Sequence, residues 1–231
     1  MQCSKEKNVN DGKAERQQFK AVAFDLLTAL MNSWAFWIEA AGDETIGRAW
    51  RRASLRLVTT AGAYRSYEDV VAEAADETGV PSQKADRLLT DWAAGKIAPW
   101  PETPAILSKL ARQGWRTAVV TNCSQRLAEA AAKATGHRFD QIVSAEKAGF
   151  YKIEPAAYRA GLAALGESDS SRVLFVAGSP HDVPGASAVG LPVYWSNRFN
   201  DAVPQGASEP FRNEPDLSAL AGLLAAGPAR S

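Results

Sequence analysis

Cysteine is nearly absent from this chain of 231 residues: only Cys3 and Cys123 are present. Two thiols cannot build a disulfide framework. A reducing, cytoplasmic compartment is the simpler expectation. Net charge is missing as well, because 26 Lys and Arg offset 26 Asp and Glu. That balance gives no footprint for a nucleic acid or a membrane surface. No apolar run approaches the roughly 20 residues of a membrane span. The first twenty residues are polar and mixed in charge, without the apolar segment of a secretory signal. Residues 1–19 are expected to form a disordered extension. Repeats and low-complexity segments are also lacking. What remains is a chain with 46% hydrophobic residues, ordinary for a packed core. Its length suits one α/β core with a small insert.

The chain changes texture along its length. Lys20 to Leu27 (KAVAFDLL) is a short apolar run that reads as a buried strand. After Met31-Asn32-Ser33 the periodicity becomes helical and stays so to about Gly95, with Leu55, Val58 and Thr59 at helical spacing. Ser66, with Asp69 three residues on, predicts a capped helix through Val70, Val71 and Ala74. Gly79-Val80-Pro81 stops it, and a helix follows from Ser82 to Ala94. No strand is expected in this stretch. The proline-punctuated joint from Pro99 to Pro104 is stiff. Beyond it, strands are predicted at Arg116–Thr121, Gln141–Ser144, Arg172–Ala177 and Leu191–Trp195. Helices are predicted at Ala105–Gln113, Ser124–Thr135 and Pro155–Leu165, with an amphipathic helix over Asp216–Ala226. Alternating helices and apolar strands imply a parallel sheet covered on both faces. The expected architecture is therefore a Rossmann-like α/β core, residues 20–32 and 99–231, with an all-helical cap, residues 33–98, inserted after the first strand.

In open α/β sheets, ligands bind beyond the carboxyl ends of the strands. Asp25, Thr121 with Asn122, Lys152, and Ser179 with Asp182 all fall at such ends. Together they supply a nucleophilic carboxylate, hydrogen-bonding groups, a cation and a second carboxylate able to position water. Their order and spacing resemble the haloacid dehalogenase superfamily over nearly all of Lys20 to Trp195. The motifs are Phe24-Asp25-Leu26-Leu27-Thr28-Ala29-Leu30, Val119-Val120-Thr121-Asn122, Tyr151-Lys152 and Phe175-Val176-Ala177-Gly178-Ser179-Pro180-His181-Asp182.

Superfamily phosphatases carry a second Asp two residues after the nucleophile, as general acid and base. Here that position is Leu27, which transfers no proton. They also present two acidic groups in the fourth motif for Mg²⁺, where this chain has Gly178 and Asp182. Both departures resemble the (S)-2-haloacid dehalogenase branch, as do Tyr158 six residues after Lys152, the pair Trp50-Arg51, and the run from Leu191 to Arg198. The resemblance implies metal-independent, cofactor-free hydrolysis of short 2-haloalkanoic acids through an ester on Asp25. It gives catalytic roles to Asp25, Lys152, Asp182 and Ser179, and substrate or halide contacts to Arg51, Thr121, Asn122, Tyr158 and Thr28. It admits a homodimer.

The branch usually has Thr where this chain has Ala29, Ser at Ala177, Asn at Ser179 and Trp at His181. Other readings stand beside these. Asp25 and Asp182 can serve as caps. Arg51 can lie with Arg52 and Arg56 on a solvated helix face, Tyr158 can be packing, and the tryptophans around the insert can be plain core. A phosphatase or phosphonatase of the same superfamily is the alternative function, and a catalytically silent binding protein the more distant one.

Overall fold

A computed structural model describes residues 19–229. The expected extension lies outside these residues except for Phe19, which is buried edge-on against Phe211 with ring centroids 5.6 Å apart. Strand β1, Ala21–Phe24, is followed by a wide turn at Leu26–Leu30. Helices α1 (Ser33–Ala41), α2 (Glu44–Ala61), α3 (Tyr67–Glu77) and α4 (Ser82–Ala93) come next. Then follow α5 (Thr103–Arg112), β2 (Arg116–Thr121), α6 (Gln125–Ala134), β3 (Gln141–Ser144) and the short α7 (Ala145–Ala148). The chain closes with α8 (Pro155–Leu165), β4 (Val173–Ala177), α9 (Asp182–Ser187), β5 (Val193–Ser196), β6 (Arg212–Glu214) and α10 (Leu220–Leu223).

The six strands form one parallel sheet in the order β3-β2-β1-β4-β5-β6. β1 is central and buried throughout, which suits its unbroken apolar sequence. Its carboxyl end therefore opens between β2 and β4, and the candidate residues converge there.

The first strand stops at Phe24, earlier than the apolar run suggests. The Asp25 side chain accepts the backbone N–H groups of Thr28 and Ala29 and so starts the turn, while Met31 N–H donates to Leu26 C=O at 2.9 Å. That reach of five residues is a π-type turn, a form common at functional sites. Asp25 is thus a cap as well as a candidate site residue.

The four helices α1–α4 are joined to the sheet by two chain segments that pair with each other. Met31 bridges Pro99, Asn32 N–H donates to Ala98 C=O, and Trp100 N–H donates to Leu30 C=O. Inside this helical unit Trp37, Trp50, Trp92 and Tyr67 are fully buried. Gly47 lets α1 and α2 touch: a Cβ there would lie 2.5 Å from Ile38 Cα. Trp92 ties the unit to α6 by donating Nε1–H to Leu127 C=O at 3.1 Å.

Two expectations near the C-terminus need correction. The predicted helix over 216–226 shrinks to Leu220–Leu223. Gly222 and Gly227 lie in or near it, and glycine is a poor helix former. β6 was not expected, because Arg-Asn-Glu between Pro210 and Pro215 carries no apolar alternation. It is an edge strand, where polar residues and nearby prolines are tolerated.

Candidate active site

Asp25 is 5% exposed, and its two oxygens have different surroundings. Oδ2 accepts three hydrogen bonds, from Thr28 N–H at 2.8 Å, Thr28 Oγ1 at 2.6 Å and Ala29 N–H at 3.1 Å. Oδ1 accepts one, from Lys152 Nζ at 2.8 Å. Two lone pairs cannot serve more than about three donors, so Oδ2 is saturated and Oδ1 retains a free electron pair. Thr28 sits one place earlier than the resemblance leads one to expect, and the wide turn still brings its hydroxyl onto Asp25. Trp100 fixes the same turn from outside by donating Nε1–H to Thr28 C=O at 3.0 Å.

Lys152 is 3% exposed and bridges two carboxylates, with Nζ 3.0 Å from Asp182 Oδ2 as well. Asn122 holds its backbone from both sides: Nδ2 donates to Lys152 C=O at 2.8 Å, and Oδ1 accepts Lys152 N–H at 2.7 Å. Sequence reasoning gave Asn122 a halide contact and did not foresee this clamp, which needs two loops to meet in space. Tyr158 OH donates to Asp182 Oδ1 at 2.7 Å, so it is more than packing. Asp182 begins α9 but makes no side-chain cap; its oxygens face Lys152 and Tyr158.

The charges shape one another. Burial pushes the Asp25 carboxyl up, but the Lys152 ammonium and the hydrogen bonds from Lys152 and Thr28 outweigh it, leaving Asp25 below its ordinary value. Burial also raises Asp182, and there it prevails over Lys152, with Asp25 adding repulsion. Burial draws Lys152 down, yet the two carboxylates reverse this and hold it above its usual value. Two facing carboxylates are thereby driven apart in acidity. A group pair separated in this way suits division into nucleophile and base.

Arg51 faces the same chamber from α2. It is 2% exposed, its Nε makes no hydrogen bond, and its guanidinium lies over the rings of Trp37 (5.3 Å) and Trp34 (6.0 Å). The solvated-face reading is therefore wrong for Arg51, while Arg52 and Arg56 are exposed. A buried cation without a carboxylate is costly unless an anion joins it. Arg51, Leu55, Val58 and Thr59 line the chamber together with Asp25, Thr28, Asn122, Lys152, Ser179, His181 and Asp182. The helical spacing on α2 was legible; its aim at Asp25 was not.

Thr121 stands apart. It is 1% exposed at the end of β2 and does not line the chamber, and its Oγ1 lies 3.9 Å from Cys123 Sγ. Burial pushes the Cys123 thiol up to about 12, so it is no nucleophile. Ser179 Oγ accepts His181 N–H at 3.3 Å, a local turn contact.

Gly178 is packed against the Asp25 turn. A Cβ there would lie 2.2 Å from Ala29 N and from Thr28 C. We expect Gly178→Ala to cost about 1–3 kcal/mol in denaturant unfolding, the usual range for overpacking. It should also lower turnover, because Thr28 must move off Asp25. A variant with wild-type stability and rate would remove this account.

A family model for haloacid dehalogenase-like hydrolases matches residues 19–190. Among curated relatives, the chain is 28% identical to haloacetate dehalogenase H-2 of Moraxella sp. (strain B), covering 90% of this chain and 99% of that one. It is 27% identical to a phosphoserine phosphatase of Thermus thermophilus, over 70% of this chain and 68% of that one. Among solved structures it matches L-2-haloacid dehalogenase from Xanthobacter autotrophicus with covalently bound chloropropionic acid, with a TM-score of 0.79 at 22% identity, covering 91% and 100% of the two chains.

Proposed function

Because the chain belongs to the haloacid dehalogenase-like hydrolase family, we propose that it hydrolyses 2-haloacids through an ester on Asp25, without a metal ion. The observation that carries this reading is the unequal solvation of the two Asp25 oxygens. Oδ1 attacks C2 of the substrate as the carbon–halogen bond breaks. The halide leaves with the bonding pair toward the Arg51 guanidinium, and C2 is inverted. Asp182, the more basic carboxylate, takes a proton from water as its oxygen attacks Cγ of Asp25. Charge then develops on Oδ2, where Thr28 N–H, Thr28 Oγ1 and Ala29 N–H already point. Preorganised donors of this kind are among the strongest sources of rate enhancement. Collapse breaks the Cγ–Oδ1 bond, and the departing 2-hydroxyacid oxygen regains the proton. Asn122 holds the lysine loop in register, and Tyr158 steadies Asp182. Ser179 lines the chamber, and Thr121 does not.

Magnesium does not fit this donor set. Leu27 and Gly178 occupy positions where a superfamily phosphatase has carboxylates, and Gly178 has no room for any side chain. The Lys152 ammonium already bridges Asp25 and Asp182. The phosphatase among the relatives therefore does not transfer its chemistry to these residues.

The test is halide release from (S)- and (R)-2-chloropropionate and from chloroacetate, with EDTA present. We expect release from the (S)-acid, unaffected by chelation. Absence of release, with Mg²⁺-dependent cleavage of a phosphate ester, would overturn the reading.

The acid limb of kcat, which includes ester hydrolysis, should follow Asp182 and lie above the ordinary carboxylate value, because the base must be ionised. Tyr158→Phe removes a donor that lowers the Asp182 pKa. It is expected to move that limb to higher pH and to lower kcat about tenfold at neutral pH, less than the roughly 10²–10⁴-fold that a general base itself contributes. A limb that stays in place would separate Tyr158 from Asp182.

A further inference from the structure

Two cavities meet at the Asp25 turn. The inner chamber has a volume of about 30 Å³. The outer cavity beside it is far larger. The outer cavity is about 320 Å³ and shares with the inner one a wall made of Thr28, Leu55, Ser179 and His181. A substituent on the carbon in line with Asp25 Oδ1 has a path across that wall into the larger space.

The outer cavity sets an apolar wall opposite polar groups that include Thr28, Ser179 and His181. Trp34 and Phe199 meet edge to face, with ring centroids 6.1 Å apart and planes at 81°. Phe199 is 49% exposed and adds little to the core. Leu55 and Pro180 complete the apolar surface, while Arg48, Arg52 and Asp201 give it a charged rim. Arg48 is engaged by Glu44 at 2.9 Å. Aromatic and aliphatic walls with a few polar groups are what small-molecule sites present to an apolar substituent.

Resting on the 2-haloacid reading, we infer that the outer cavity is a second subsite for the substituent on C2, so that the preferred substrates are 2-haloacids bearing an extended alkyl or aryl group. Trp34, Leu55 and Phe199 then set specificity. The inner chamber holds the reacting carbon, and the tail is held beyond the shared wall. Tail binding acts chiefly on KM, because these residues do not touch the bonds that change.

The experiment compares halide release from chloroacetate, 2-chloropropionate, 2-chlorohexanoate and 2-chloro-2-phenylacetate. It uses the full chain and two variants at exposed positions, Phe199→Ala and Arg52→Trp. The first removes a wall and the second fills the cavity from its rim. The wild type should show kcat/KM at least tenfold higher for the two tailed acids than for chloroacetate. Both variants should lose most of that preference through KM while keeping the chloroacetate rate. Equal or better turnover of chloroacetate by the wild type overturns the subsite and leaves the dehalogenase reading intact. Survival of the tail preference in both variants does the same. Release from none of the four acids overturns the subsite together with the reading beneath it.

Discussion

Replacing Asp25 by Asn is expected to reduce halide release by about 10⁴-fold or more, the scale seen when a catalytic nucleophile is removed. The amide keeps the shape of the carboxylate, and its oxygen can still accept from Thr28 and Ala29. Its nitrogen would face Lys152 Nζ, which now sits 2.8 Å from Oδ1. Two donors then oppose each other, and a loss of about 1–3 kcal/mol in unfolding free energy is expected. Circular dichroism would report whether the fold survives. The chemical step has its own readout. A single turnover of the wild type in ¹⁸O-water should place the label in Asp25 and leave the first 2-hydroxyacid unlabelled, because the product oxygen comes from Oδ1. Label appearing first in the product would mean direct attack by water, and would sink the ester mechanism while leaving hydrolysis in place.

The second large effect is expected for Lys152→Met. The substitution keeps an unbranched side chain, one atom shorter, but removes the ammonium between Asp25 Oδ1 and Asp182 Oδ2. Breaking a buried pair costs about 3–5 kcal/mol, because uncompensated charge is left behind. The cost should depend on pH, and its sign follows from linkage. In the wild type, Asp25 lies below its ordinary value. It therefore contributes stability above its unfolded pKa, lost as pH falls through the folded one. Asp182 lies above its ordinary value and works in the opposite sense. Without the ammonium both carboxylates are raised, and each destabilises the fold as pH rises past the unfolded carboxylate value. The gap between wild type and variant should therefore widen from about pH 3 to pH 7, as measured by urea unfolding across that range. Halide release should fall by about 10³-fold or more at neutral pH, since a protonated Asp25 is no nucleophile. A gap independent of pH would mean that Lys152 does not set the charge of these two groups.

Much of this site could be read from one-dimensional order. Asp25, Asn122, Lys152 and Asp182 each follow an apolar strand or its loop, and a parallel sheet must bring such ends to one edge. The spacing on α2 likewise put Leu55, Val58 and Thr59 on one face, and all three line the chamber. Other features were hidden. The turn at Leu26–Leu30 is a run of apolar letters indistinguishable from strand, and only hydrogen bonding to Asp25 bends it. β6 is polar because it lies at a sheet edge, so it shows no periodicity. Phe199 and Trp34 are far apart in sequence and met no motif, yet they face each other across the outer cavity.

The division has a physical basis. Residue order alone determined the fold class, the helical insert after β1 and the identity of the charged groups, because those depend on local periodicity and on which chemistry a residue type can perform. The tertiary structure decided everything that depends on distance between remote segments. It set which Asp25 oxygen is saturated and placed Lys152 between two carboxylates. It turned Arg51 inward and Thr121 away, and it denied Gly178 a side chain. Hydrogen bonds and Coulomb energies change steeply over an ångström, and no spacing along a chain carries that precision.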